Sequence, residues 1–365
     1  MTRQSIRLCL RVRTAARVTA TAIVTFSCYP TIAHAQSDRT VLRGTSVAVF
    51  NIAGRMTVEA GTGSDVIVEV TRRGRDASRL RLESGDVNGR PTLRVIYPDD
   101  DIVYADGRES WNRSEMRVRA DGTWGNDRGR GDEGRRVRVS SRGRGTEAWA
   151  DIRVLVPVGR SFAAHLGTGE LSATGVNGTI TLDNSSGRVT AIGMRGTLSI
   201  DVGSGGAEVR DADVDQLSID AGSGGVRLAD VVAKSCSIDS GSGGVTGDHA
   251  ACRKFSIDVG SGGVRIGDVR ASTLTVDAGS GSVQLTLRDS PDDLKIESGS
   301  GGVVLGLPAS LSAQVEINAG SGGVDSDFPL RADRFERHHL RGTIGDGKGR
   351  IRIETGSGSV KLRKN

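Results

Sequence analysis

Carboxylates recur at one fixed place in this sequence. Asp201, Asp220, Asp239, Asp258 and Asp277 each stand two residues before a glycine-rich run, as in "SIDVGSGG" and "SIDAGSGG", and Glu297 and Asn318 extend the series. A phosphate cradle needs such glycines to open a helix, so that backbone N–H groups face the anion. Here Val or Ala resumes an extended pattern after each run and no Gly-Lys-Ser/Thr occurs, which excludes that chemistry. A calcium β-roll needs Asp just after its glycines, whereas here Asp precedes them. What remains is an acidic ladder, a candidate for loose contact with divalent metal or a cationic partner. The competing use is structural, each Asp accepting backbone N–H bonds in the following turn. Stacked like charges repel, so the ladder needs a reason on either reading.

The other chemically capable residues are few. Cys236 and Cys252 are either small core residues or a disulfide between neighbouring repeats; no His shares their places, which argues against metal or catalysis. Arg128, Arg130, Arg135, Arg136 and Arg138 form the one concentrated basic patch, inside a Gly/Arg-rich stretch at 105–147. That stretch reads as a solvated charged loop with at most one strand, or as a contact for an anionic envelope polymer. Its "GRGDEG" string contains G-x-G-x-x-G and Arg-Gly-Asp, but follows no strand, opens no helix, and arises readily from such composition. His338 and His339 are adjacent, so on an extended chain they point to opposite sides and form no chelate. No nucleophile–base pair, metal constellation or cofactor motif emerges.

The elements that position these residues are repeats. Gly-Ser-Gly corners begin at 203, 222, 241, 260, 279, 299, 320 and 356, with degenerate copies at Gly167 and Ser185 and an early outlier at Gly61. Aligned on the corner, Leu198, Leu217, Cys236, Phe255 and Leu274 share one column, Ile200, Ile219, Ile238 and Ile257 a second, and Ala207, Val226, Val245 and Val264 a third. Polar residues alternate with them, the period-two signature of strands with one buried face. A unit this short cannot bury its face alone, but stacking does so. The expectation is all-β, a parallel β-solenoid of 18–21-residue coils, with handedness unassigned. Glycine suits the corner because it tolerates positive φ and lets stacked backbones pass closely. A narrow interior filled by aliphatics also explains why aromatics make up only 3% of the chain.

The ends differ from the middle. Residues 1–35 carry five arginines, a modest apolar run and Ala33-His34-Ala35, and read as a signal peptide. A lipoprotein anchor at Cys28 is disfavoured because the aliphatic residue usual three places earlier is missing. Without that leader, 49 − 5 = 44 basic residues balance 44 acidic ones, so the basic balance of the full chain is no argument for nucleic acid. Within 161–330, 21 acids face 11 bases. No later apolar run is long enough to span a bilayer. The organisation expected is a β-rich part at 36–104, the insert at 105–147, regular coils at 148–326, and an insert with a capping coil at 327–365. The closing "KLRKN" would blunt the exposed edge.

Together, "SVAVFNIAGRMTVEAG", "DIRVLVPVG", the serial "LSIDxGSGGV" coils and "GTIGDGKGRIRIETGSGSVKL" resemble the bacterial "putative adhesin" domain family over roughly 40–365. That resemblance implies a β-helical envelope protein and brings no catalytic residues. The expected function is an exported, non-enzymatic solenoid of the periplasm or cell surface, meeting an envelope polymer, surface or protein. Two alternatives are a polysaccharide-active β-helix enzyme and a periplasmic sensor or scaffold for a membrane regulator. The enzyme would need walls of long inserts around paired carboxylates, and the regular coils have almost none.

Overall fold

Strands whose alternate residues are small and aliphatic bury their dry faces by lying one above another. The computed structural model describes residues 37–106, 113–125 and 134–365, and these all belong to one unit. Residues 1–36, which include the expected leader and Cys28, and Arg128, Arg130 and the Arg-Gly-Asp tripeptide, lie outside the described residues. The fold is all-β: among the described residues, 26 strands join one sheet and four more form a small second sheet.

The main sheet is a stack of parallel rungs. Phe162 pairs with Ile180, and Ile180 with Leu198, at offsets of 18 residues. Leu198, Leu217, Cys236, Phe255 and Leu274 follow at offsets of 19, and Leu294 at 20. Every member of this column is buried, as are the Ile200 and Val226 columns. At one corner of each rung the glycines pass closely. A Cβ on Gly243 would lie 2.8 Å from Gly225 N and closer still to the Gly224 carbonyl. The same clash with the rung below recurs at Gly224, Gly262, Gly281 and Gly301. Positive φ, expected throughout, is confined in this column mainly to the early rungs: Gly54, Gly169, Gly187 and Gly205 have φ of 126–153°, whereas Gly224 and Gly243 are outside the left-handed region. In the pure Gly-Ser-Gly-Gly corners clearance, not φ, demands glycine. The first rung's corner is Gly54 rather than Gly61, which packs against Leu155. A second corner was not foreseen. Asp211, Asp230, His249 and Asp268 stack there with φ of 48–53°, a conformation that Asp and His tolerate better than most residues.

The order of the last rungs departs from the order of the sequence. Strand Asp293–Ser298 pairs with Gly349–Thr355, through Leu294 and Ile351, and Ala313–Asn318 lies beyond it, through Val315 and Ile351. The C-terminal coil is therefore not a cap. It fills a slot between two earlier rungs, and Val360 has Val303 on one side and Val324 on the other. Its inner residues Ile351, Ile353, Val360 and Leu362 are wholly buried, which an outermost place would not allow. The edge is instead covered by antiparallel strands His339–Ile344 and Arg331–Phe335. At the other end, hairpin Arg81–Val87/Arg90–Ile96 extends the first rung.

The Gly/Arg-rich stretch is also more ordered than a loop with at most one strand. Arg113–Val118, Arg135–Ser140 and Thr146–Glu147 join Asp101–Val103 in the second sheet. Val137 and Val139 of "RVRVS" are fully buried, and their outward neighbours are the arginines. Alternation supplies a dry face here as it does in the rungs.

Candidate functional site: an acidic ladder

Pairing in register carries each corner-proximal acid onto the next. The column runs His165, Asp183, Asp201, Asp220, Asp239, Asp258, Asp277, Glu297, Glu354, then Asn318 and His339. Eight carboxylates succeed one another at about 4.8 Å per rung, a line of about 34 Å. Two residues earlier in each strand, Thr181, Ser199, Ser218, Ser237, Ser256 and Thr275 form a parallel hydroxyl column. Lys295 and Arg352 continue that column, and there the ladder meets a cation: Lys295 Nζ lies 2.8 Å from Glu297, whereas Arg352 Nε lies 3.9 Å from Glu316, its neighbour in the same column.

The middle of the ladder has no such relief. Among the described residues, Asp201, Asp220, Asp239, Asp258 and Asp277 accept no hydrogen bond and pair with no cation. The turn-bracing role expected of them is performed only by Asn318, whose Oδ1 accepts from Gly320 N at 3.3 Å. The corners are tied from inside instead. Ser240 Oγ donates to Gly243 O at 2.8 Å, Ser298 Oγ to Gly301 O at 2.9 Å, and Thr355 Oγ1 to Gly358 O at 2.6 Å. The electrostatic consequence appears at Asp201. Loss of surrounding water, then Asp183 and Asp220 on either side, push its carboxyl up to about 6. Asp277 is raised for the same reasons, with Asp258 and Glu297 as its neighbours.

The ladder's N-terminal end is closed by aromatics. His165 Nδ1 lies 2.7 Å from Asp183 Oδ2, and the imidazole stacks on Phe50 at 4.1 Å. Trp124, from the insert, meets Phe50 edge-on at 5.1 Å. Sequence reasoning missed His165 and Asp183, although each stands at the same two-residue offset from a degenerate corner.

The remaining candidates lie elsewhere. Cys236 and Cys252 are joined, with Cα atoms 5.9 Å apart, and staple adjacent rungs within the core. Arg135 pairs with Asp100 at 2.5 Å, Arg136 with Glu115 at 3.2 Å, and Arg138 with Asp101 at 3.1 Å. Their charge is balanced within the small sheet, so a polyanion would have to compete for them. His338 Nδ1 contacts Gly322 O, whereas His339 ends the ladder. His249 lies among Asp230, Asp248 and Asp268 at 3.3–3.6 Å. Even so, no three His, Cys, Asp or Glu among the described residues come together as a metal site. No helix among them is long and apolar enough to cross a membrane.

These features define an all-β stack of parallel rungs with a repetitive polar face. Residues 150–363 match the Toastrack DUF4097 family, and the chain belongs to it. No curated protein matches the chain. Two solved structures are similar. A "putative cell adhesion protein" from Clostridium sporogenes is 10% identical, over 91% of this chain and all of its own, with a TM-score of 0.19. A "putative lipid binding protein" from Parabacteroides distasonis is 12% identical, over 89% of this chain and 96% of its own, with a TM-score of 0.39. Scores this low carry no argument about function.

Proposed function

We propose that this chain is an exported, non-catalytic module of the cell envelope whose working surface is the acidic and hydroxyl face of the stack. The observation behind this reading is the run of in-register carboxylates from Asp201 to Asp277, which make no bond among the described residues. A linear partner carrying cations about 5 Å apart could meet one carboxylate per rung. The leader at 1–35 and the Cys236–Cys252 disulfide both suit an oxidising compartment. Carboxylates about 5 Å apart also fit retaining glycosidases. On this face that spacing repeats at every rung, so it singles out no catalytic pair.

Poly-L-lysine is the probe that tests the reading. Binding should weaken steeply with salt and fall about tenfold or more in the Asp220→Asn/Asp239→Asn double variant, whose rungs stay intact. Equal binding by the variant, or none by the wild type, would remove the ladder from the function.

A further inference from the structure

A pocket lies at the N-terminal end of the stack, where it adjoins the aromatic end of the ladder through Phe50. Its volume is about 90 Å³, and it sits between the hairpin Arg81–Val87/Arg90–Ile96 and the turn that follows Arg113–Val118. Ala48 and Phe50 supply apolar lining, and Arg90, Arg119, Thr123 and Asn88 supply polar lining. Arg119 donates to Thr123 Oγ1 at 3.3 Å and to Gly125 O at 2.6 Å, but meets no carboxylate among the described residues. Arg90 has neither a hydrogen bond nor an ion pair from its side chain among the described residues. The nearby acids are engaged with backbone: Asp121 accepts from Thr123 N at 2.9 Å, and Asp86 from Gly89 N at 2.7 Å. Asp121 also accepts from the Thr123 hydroxyl at 2.7 Å.

A second observation points the same way. Trp124 is buried and its Nε1–H finds no acceptor. Its ring packs edge-on against Phe50, the aromatic residue of the pocket lining. An indole N–H without a partner is expensive in a dry site. Two guanidiniums that line one pocket and lack counter-charge among the described residues describe a site short of an anion; Trp124 is not part of that lining and stands behind Phe50.

We infer that this pocket binds a phosphate group. Two guanidiniums from separate elements match a dianion, and Arg is the side chain whose planar donors fit phosphate oxygens. The pocket is open on one side, so the group could be free phosphate or the headgroup of a phosphate-bearing lipid. The inference does not depend on the acidic ladder.

The test is titration of the full chain with inorganic phosphate, followed by Trp fluorescence. A parallel arm uses phosphatidylcholine vesicles with and without phosphatidic acid. Saturable binding should weaken about tenfold or more in Arg90→Gln and in Arg119→Gln, the loss expected for a charged hydrogen bond. It should be unchanged in Arg227→Gln, an exposed arginine on a regular rung. Arg90→Gln is the decisive variant, since that side chain makes no bond among the described residues and its loss leaves their packing whole. Arg90-dependent binding of inorganic phosphate identifies a free anion, and Arg90-dependent binding only of phosphatidic-acid vesicles identifies a headgroup. Binding to neither probe, or binding that survives Arg90→Gln, overturns the inference.

Discussion

Within the Gly-Ser-Gly-Gly corners, the glycines at the third and fourth positions should respond unequally to the same substitution. In Gly243→Ala the new methyl would press into the Gly224 carbonyl and lie 2.8 Å from Gly225 N. All of these are backbone atoms, so no side chain can swing away. Restoring ordinary contact needs the two rungs to part locally by on the order of 1 Å. Three hydrogen bonds span that gap: Gly241 N to Ala221 O at 2.9 Å, Ser242 N to Gly222 O at 3.1 Å, and Val226 N to Gly244 O at 2.9 Å. At about 1 kcal/mol each, their loss gives a destabilisation of about 3 kcal/mol, before any loosening of the valine column. In Gly225→Ala the nearest atom is Gly244 O at 3.3 Å, and the backbone is outside the left-handed region. A slightly tight contact then opposes the gain of about 0.4–1 kcal/mol from a stiffer unfolded chain, so the net change should be near zero. Urea unfolding followed by far-UV circular dichroism measures both. Equal shifts of the midpoint in the two variants would refute clearance as the reason for glycine, and would point to φ or to composition alone.

Two further outcomes follow from the ladder and from the order of the rungs. The carboxyl of Asp201 is raised from 3.8 to about 6, so between those values the folded chain holds a proton that the unfolded chain has released. Its contribution to stability therefore falls as pH rises through that window, and Asp201→Asn should abolish this component; thermal midpoints of the two proteins between pH 4 and 7 check it, and parallel curves would count against it. A chain ending at residue 347 should lose the rung on which Ala313–Asn318 lies. Limited trypsin digestion should then cut at Arg331, Arg334 and Arg341 while earlier rungs stay protected, whereas continued protection of those arginines would mean that the coils stack in chain order.

What could be read from the sequence, and what could not, divides along a physical line. The rungs and the ladder were legible because parallel pairing in register turns a fixed offset from the corner into a column in space. His165 and Asp183 obey the same offset and escaped notice only because their corners have lost the Gly-Ser-Gly spelling. The order of the last rungs was not legible. "KIES", "RIET" and "VEIN" present equivalent inner faces, and nothing in a parallel strand names its neighbour. The insert misled in a different way, since outward arginines in "RVRVS" drew attention from the buried valines between them. The bracing of the corner was misassigned for a sharper reason. Both Asp at two places before the corner and Ser or Thr at one place before can tie a turn, and only geometry shows that Ser240, Ser298 and Thr355 do so. That reassignment bears on function. An aspartate that tied its own turn would need no further explanation, whereas the central aspartates stack on one another and make no bond among the described residues. On the function proposed above, a cationic partner would supply the counter-charge this column lacks, and for that reason its binding surface is to be sought there.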